Sequence, residues 1–432
     1  MLFLGVIDMK RVLMVLMAII LVLPVAACTQ PAAASELKSD KERIASPDIS
    51  EEEQVLLTEG SIAFAFALYQ ALKNEEGNLF YSPYSLSLAL AMTYAGARGA
   101  TEQEMADTLG FLLSQERLHE NFNALDIELG KRGQGAAGKD GEAFRLNIVN
   151  AIWGQRDYTF LPAFLDVLAE NYGAGLRILD FMEDAEKSRN IINDWVSQQT
   201  EGRIEDLIPE GAINTLTRLV LTNAIYFNAA WQYPFNEDLT ADGLFYRLDG
   251  SHVSVPMMKQ SGSFAYTEAE GYQAVELPYD GTELSMVILL PDSGNFAVFE
   301  KLLQAQFVAD VFDSLHSAQV VLSMPKFEFE SEFQLKDVLE AMGMLTAFSD
   351  EADFSGMTGK KDLAIAEVLH KAFVSVDEAG TEAAAASAVI MTLTSMPADQ
   401  AVVTIDRPFV FLIRDIETGT VLFIGRVLNP TA

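Results

Sequence analysis

Apolar residues recur at Leu57, Ile62, Phe64, Phe66, Leu68 and Leu72, a spacing that predicts an amphipathic helix stopping near Gly77. Behind it, residues 78–92 read as a second helix with Pro83 as an early helical residue. Gly96-Ala-Arg-Gly99 breaks that helix, and Thr101 with Glu104 has the spacing of a capping box that predicts the start of the next. The second half changes character. Segments 218–227, 284–290, 320–329 and 409–413 are short, rich in β-formers and bounded by Gly, Pro, Asn or Asp. Helices first and strands later predict an α+β fold, not βαβ alternation.

One stretch fits neither pattern. Residues 377–389 form a run of small side chains directly behind the strand-like segment 372–376, and four consecutive alanines taken alone favour a helix over a strand. Its position argues otherwise. The run follows Gly380 and precedes the β-branched and apolar residues 391–397, and the distance to the next apolar block exceeds what a hairpin needs. With Thr381, Ala383, Ala385 and Ser387 on one face and Glu382, Ala384, Ala386 and Ala388 on the other, a strand here would carry almost no bulk. Such a strand fits insertion into an existing sheet.

Composition bounds the rest. Half of the 432 residues are hydrophobic, ample for a large core. Lys10 and Arg11 precede an apolar run, Val12 to Leu23, that is too short for the ~20 residues a bilayer span needs. Pro24-Val-Ala-Ala-Cys28 follows, and its small residues resemble the lipobox of bacterial lipoprotein signal peptides. The expectation is cleavage after residue 27 and lipidation of Cys28, with Met1 or Met9 as the start. Residues 1–27 hold Asp8 against Lys10 and Arg11, so their removal takes the net charge from −33 to −34. That charge argues against a nucleic-acid partner. Cys28 is the only cysteine, which leaves an exported body without disulfides. Residues 28–54 read as the anchor site and a flexible tether, with the compact domain spanning 55–432. Localisation is expected to be exported, anchored at a membrane through Cys28 or extracellular, and the membrane is a partner only through that lipid.

Nothing supports an enzyme, a cofactor or a metal. Gly133-Gln-Gly-Ala-Ala-Gly138 fits G-x-G-x-x-G, but residues 123–129 before it look helical and no hydrophobic helix follows, so a plain glycine-rich loop is expected. The four histidines, His119, His252, His316 and His370, fall in no metal-binding or nucleophile motif.

Seven segments in order resemble signatures of the serpin family of protease inhibitors, from about Val55 to Pro430. They are Asn78-Leu-Phe-Tyr-Ser-Pro-Tyr-Ser85, the stretch Leu221 to Trp231, Val255-Pro-Met-Met258, Leu277-Pro-Tyr279, Met324-Pro-Lys-Phe327, the hinge at Asp377 and Arg407-Pro-Phe-Val-Phe411. The resemblance implies an α+β serpin fold: a large, mostly antiparallel central sheet, two smaller sheets, about nine helices and an exposed reactive-centre loop at about 380–407. It further implies a monomeric suicide substrate whose partner is a target protease, a serine or a cysteine endopeptidase. The protease acylates itself on the loop, and the cleaved loop enters the central sheet as a new strand, distorting the attached enzyme.

Carried onto this chain, the hinge is Glu378, Gly380, Thr381, Glu382, Ala383, Ala384, Ala385 and Ala386. The sheet-opening network is Ser82, Ser85, Asn223 and His370, and the mouth of the sheet holds Trp231, Lys326 and Glu378. The family's spacing from Glu378 places the scissile bond at Thr394-Ser395. Because the following stretch is about three residues longer than in familiar inhibitors, Leu393 and Met396 are alternatives. All are uncharged, which points to elastase-, chymotrypsin-, subtilisin- or papain-like proteases and away from trypsin-like ones, whose pocket carboxylate requires Arg or Lys. A non-inhibitory serpin that binds a ligand and a lipid-anchored solute-binding protein are the competing readings. The first usually lacks small hinge residues; the second predicts βαβ alternation.

Overall fold

The computed structural model describes residues 34–138, 142, 144–381 and 400–431. The signal segment, Cys28, hinge residues Glu382, Ala383, Ala384, Ala385 and Ala386, and the bond candidates Leu393, Thr394, Ser395 and Met396 lie outside the described residues. Along the chain come β1 (Ser35–Leu37), α1 (Glu51–Leu72), β2 (Leu79–Tyr81), α2 (Pro83–Tyr94), α3 (Gly99–Leu109), α4 (Gln115–Leu129), β3 (Arg145–Gln155), α5 (Pro162–Tyr172), β4 (Leu176–Leu179), α6 (Ala185–Gln199) and β5 (Leu219–Ala230). Then follow β6 (Ala241–Tyr246), β7 (His252–Ala269), β8 (Tyr272–Pro278), β9 (Leu284–Pro291), α7 (Phe296–Phe299), α8 (Ala305–Ser314), β10 (His316–Pro325), β11 (Phe327–Gln334), α9 (Lys336–Met342), α10 (Ser355–Thr358), β12 (Glu367–Val376), β13 (Gly380–Thr381), β14 (Ala401–Thr404), β15 (Phe409–Asp415) and β16 (Val421–Val427). The α+β order holds. The described residues contain ten α-helices, one beyond the expected nine, and two of them are only four residues long.

The central sheet runs β1-β4-β3-β5-β13-β12-β11. Its middle strand, β5, is buried on both faces. Successive side chains of a strand point to opposite sides. Leu221, Ile225 and Phe227 therefore enter the large core, while Val220 and Ala224 enter a second core with Trp153, Ile192, Val196 and Leu369 beneath α6. Helix α2 is buried all round, as its Leu- and Ala-rich sequence demands, and Pro83 occupies its first turn.

Two smaller sheets were expected, and they prove to be joined. The eighteen-residue β7 pairs with β6 through residues 252–257, with β10 through 257–266 and with β8 through 265–269, so one strand belongs to both. The stretch 320–329, read as one strand from its β-rich composition, is two. Strand β10 ends at Pro325 in the joined sheets and β11 begins at Phe327 in the central one, leaving Lys326 at the corner.

Two further expectations are corrected. Residues 34–54 are not a flexible tether: β1 pairs antiparallel with β4, Arg43 donates to Asn123 Oδ1 (2.8 Å) and Asp126 Oδ2 (2.6 Å), and the Ile44 N–H reaches Glu170 O (2.8 Å). An unpaired edge strand leaves a row of backbone donors and acceptors open, and this polar segment fills them. The capping box also lies elsewhere. Ser50 Oγ accepts from the Glu53 N–H (3.2 Å) while Glu53 Oε2 accepts from the Ser50 N–H (2.9 Å), starting α1 at Glu51. Thr101 and Glu104 lie within α3 and instead accept from the backbone of Asp353 (2.9 Å) and Thr346 (2.6 Å).

Candidate functional site

Strands β5 and β12 pair in parallel from Glu367↔Val220 to Ala372↔Ile225. Beyond that ladder, β13 stands between them, with Gly380 opposite Ala230, and Thr381 opposite both Ala229 and Val376. A tight turn returns the chain into the sheet: Gly380 O accepts from the Asp377 N–H (3.0 Å), and Asp377 Oδ1 from the Ala379 N–H (2.9 Å). Gly380 must be glycine, since a Cβ there would lie 2.1 Å from Ala229 O. Thr381 is 1% exposed, and its hydroxyl shares a 2.8 Å hydrogen bond with the Tyr279 hydroxyl.

Trp231 fixes this turn. Its ring stacks on Tyr279 with centroids 4.7 Å apart, its Nε1–H donates to Asp377 O (3.0 Å), and its backbone N–H donates to Ala379 O (2.9 Å). Lys326 Nζ meets Glu378 Oε2 at 2.5 Å, and Thr240 Oγ1 donates to Glu378 Oε1 (2.6 Å). An exposed ion pair would contribute little, but the Glu378 side chain is only 7% exposed. Burial pushes its carboxyl up, yet Lys326 and Thr240 outweigh this and hold it below the usual carboxylate range.

Deeper in the sheet, the structure brings together all four members of the expected network. His370 is fully buried, 0% exposed, with its ring parallel to Phe333. Its Nε2 accepts from the Ser82 N–H (3.1 Å) and its Nδ1–H meets Asn223 Oδ1. Asn223 Nδ2 donates to Ser85 Oγ (2.5 Å) and to Asn150 Oδ1. Asn150 Nδ2 in turn donates to Ser85 O (3.2 Å), and Ser82 Oγ caps α2 through the Ser85 N–H (3.1 Å). The network thus ties β3, β5 and β12 to the start of α2. Burial lowers the His370 pKa to about 3, which matches an imidazole whose Nε2 must remain an acceptor.

Asn223→Ala would remove the hub and leave buried donors and acceptors unpaired, at 1–3 kcal/mol each, a loss on the order of 3 kcal/mol. A fall in the urea unfolding midpoint is the expected result, and an unchanged midpoint would show the network to be energetically idle.

Asn150 and Thr240 belong to the site but were not foreseen, and Tyr279, named only within a signature segment, was given no role there. Only the register Asn150↔Asn223 could have singled out Asn150, and register is a product of pairing. The other histidines are apart from this site. His252 and His316 are exposed, and buried His119 bonds the Tyr172 hydroxyl through Nδ1 (2.7 Å). The glycine-rich stretch 133–138 is a loop whose amides meet carboxylates: Gly133 N–H donates to Glu283 (2.7 Å) and Ala137 N–H to Asp280 (2.9 Å). Those amides are therefore filled from within rather than presented to a phosphate. Among the described residues no three His, Cys, Asp or Glu side chains gather as a metal site.

Comparison with known proteins agrees with this geometry. Residues 59–430 match the sequence profile of the family described as serpin (serine protease inhibitor). The chain is similar to an uncharacterized serpin-like protein of Thermococcus kodakarensis, at 40% identity over 370 residues, 85% of this chain and 84% of that one. It is 39% identical over 377 residues to the leukocyte elastase inhibitor of Xenopus laevis, covering 85% of this chain and 97% of the relative. Among solved structures, the thermophilic serpin tengpin in its native state superposes with a TM-score of 0.79 at 30% identity, covering 92% of this chain and all of the other. A profile spanning most of the sequence, close relatives over nearly their whole lengths and a matching fold establish that this chain belongs to the serpin family.

Proposed function

We propose that the protein inhibits a serine endopeptidase irreversibly, as a suicide substrate whose cleaved loop enters the central sheet. The observation that carries this reading is β13. Its two residues already stand as a strand between β5 and β12, and below them the same two strands are held by one parallel ladder of six register pairs. Continued entry along that line replaces one parallel ladder by two antiparallel ones.

About 14 residues at ~3.3 Å each would carry a bound protease on the order of 45 Å. Ten or more new backbone hydrogen bonds at roughly 0.5–1.5 kcal/mol net would supply on the order of 10 kcal/mol. That matches the ~5–15 kcal/mol stability of a whole protease domain, enough to disorder its active site. The uncharged candidates 393–396 favour elastase-, chymotrypsin- or subtilisin-like targets over trypsin-like ones, with papain-like enzymes a secondary class. The small residues following Gly380 favour this reading over a non-inhibitory serpin. Export with lipid attachment at Cys28 and action as a monomer complete the proposal.

The test is incubation of the chain with elastase, subtilisin, trypsin and papain, followed by denaturing electrophoresis and sequencing of the released carboxy-terminal peptide. An SDS-stable complex with an uncharged-specificity protease and a new amino terminus within 394–397 is expected. Cleavage by every enzyme without complex or inhibition would end the inhibitor reading. In the producing cell, Cys28→Ser should move the protein from the membrane to the soluble fraction, and equal partition of the two chains would remove the anchor.

A further inference from the structure

Residues 45–49, the first three turns of α1, helix α4 and the turn after β15 enclose a groove of about 820 Å³, a size that suits a small organic molecule. It shares no residue with the sheet mouth or the buried network. Its walls are held in place by their own contacts. From α4, Arg117 Nη2 donates to Asp48 O (2.8 Å) and Arg117 Nε to Glu53 Oε1 (2.6 Å), while Thr58 Oγ1 donates to Thr418 O (3.5 Å). The groove is therefore present before any ligand arrives.

Pro47, Ile49, Val55, Leu57, Ile62 and Leu125 make much of the lining apolar, and its charged groups are nearly all carboxylates. Glu51, Glu59, Glu128 and Glu417 stand there against one cation, Lys131, which is already paired with Glu128 (2.8 Å). Glu417 is paired with Arg132 (3.0 Å), whereas Glu51 and Glu59 have no ion-pair partner among the described residues. Those two lie eight residues apart on one face of α1, roughly 12 Å along its axis, with Val55 midway between them. Opposite, on α4, Asn121 lines the groove and is 1% exposed. Its Nδ2 donates to Arg117 O (2.8 Å), but its Oδ1 has no partner. Buried acceptors are seldom left unpaired, and one on the wall of a groove is a place for a ligand N–H.

We propose that this groove binds an organic dication, two ammonium groups joined by an apolar linker of about eight carbons. The ammoniums pair with Glu51 and Glu59, the linker lies on Val55, Ile62 and Leu125, and one ammonium N–H reaches Asn121 Oδ1. Charge and spacing together select this chemistry. An anion would meet four carboxylates. A wholly apolar molecule would cover Glu51 and Glu59 without pairing them and would leave the Asn121 acceptor open. A single ammonium would satisfy only one of two carboxylates that stand two helical turns apart. An extended diamine meets both, and its three N–H donors at each end allow one group to serve a carboxylate and an amide oxygen together.

The test is calorimetric titration of the full chain with 1,8-diaminooctane, with octylamine, 1,4-diaminobutane and octanoate as comparisons. Saturable one-to-one binding of 1,8-diaminooctane is expected, with octylamine and 1,4-diaminobutane about tenfold weaker and octanoate not bound. Glu51→Gln/Glu59→Gln alters two exposed side chains, so its urea midpoint should stay unchanged, and its affinity for the diamine should fall about tenfold. Ala124→Phe, which fills the groove from α4, should abolish binding. Asn121→Ala should weaken it as well, and if that variant loses stability the other two decide. Absence of saturable binding would overturn the proposal. Equal affinity for octylamine would reject the dication. Equal affinity in the Gln variant would assign the binding to the general field of a chain of net charge −33, and would also overturn it. None of these readouts involves a protease, so they decide the groove whatever the inhibition assay shows.

Discussion

A chain carrying Thr381→Arg is expected to be cleaved by its target protease at an undiminished rate while forming little or no SDS-stable complex. The reason lies in where Thr381 stands. It is 1% exposed between Ala229 and Val376, with its hydroxyl on Tyr279. An arginine at that position would place a guanidinium against Ala229, Val376 and the stacked rings of Tyr279 and Trp231, where no carboxylate is a neighbour in the strand register. Burying an unpaired charge costs several kcal/mol. Since Thr381 already stands in the sheet before cleavage, this cost is expected to push an arginine at 381 out of the seam, and insertion must then bring it back in, so part of the cost enters the barrier. Even ~3 kcal/mol slows insertion more than a hundredfold. Hydrolysis of the acyl bond, which does not depend on the hinge, then wins. The measurement is the molar ratio of inhibitor consumed per protease inactivated, alongside complex yield on denaturing gels. Thr381→Ser keeps the hydroxyl and serves as the control. Full complex yield from Thr381→Arg would show that entry of residue 381 does not govern the outcome.

Acid should weaken the native state steeply. His119 and His370 are both buried, and burial lowers each pKa to about 3, with the charge on Arg98 adding to the effect at His119. In the unfolded chain each returns to ~6.5. Between these values the unfolded chain binds the proton and the folded one does not, so stability rises with pH through this window. It is fully present above ~6.5 and is lost as pH falls towards 3, at up to ~1.4 kcal/mol per pH unit for each histidine. Glu378, held below its ordinary range, acts in the same direction at the acid end, because it too must take up a proton on unfolding. Urea midpoints recorded from pH 7.5 to 4.5 should fall throughout the lower part of that range. His370→Gln should flatten the slope by about half, and an unchanged slope in that variant would show that His370 is protonated in the native state.

The described start of the hinge, Glu378, Gly380 and Thr381, was legible in the sequence because its signal is local: a strand followed by a glycine where the chain turns back into the sheet. Lys326 and Glu378 were assigned to the mouth of the sheet by the family resemblance alone, and the structure brings the two together. Asn150 and Thr240, and the role of Tyr279, were hidden because each acts through a partner far along the chain, brought close only by strand register or by a crossing loop. The amino-terminal segment misled for a related reason. Lys38, Arg43 and Ser50 look like the solvated residues of a linker, and nothing in their composition reveals that Gly173, Asn123, Asp126 and Glu53 await them. The false capping box at Thr101 and Glu104 shows the converse. The spacing was right, but both oxygens serve the distant backbone of Asp353 and Thr346.

Strand β1, laid along β4, has a consequence for what the central sheet can accept. If the sheet admits the cleaved loop as proposed, it is open to any strand, including one from a neighbouring molecule. One outer border is occupied by the chain's own residues 35–37, and the other, β11, alternates Phe327, Phe329 and Phe333 with outward Glu328, Glu330 and Glu332, whose charges repel a newcomer of the same acidic sequence. That leaves the internal seam between β5 and β12. Any segment tethered behind Thr381 would compete there at an effective concentration of roughly millimolar, far above that of any second molecule in dilute solution. The competition for the seam is thus one of local against bulk concentration, and crowding the protein together, for instance at a surface, is the condition that would erode the advantage of its own loop.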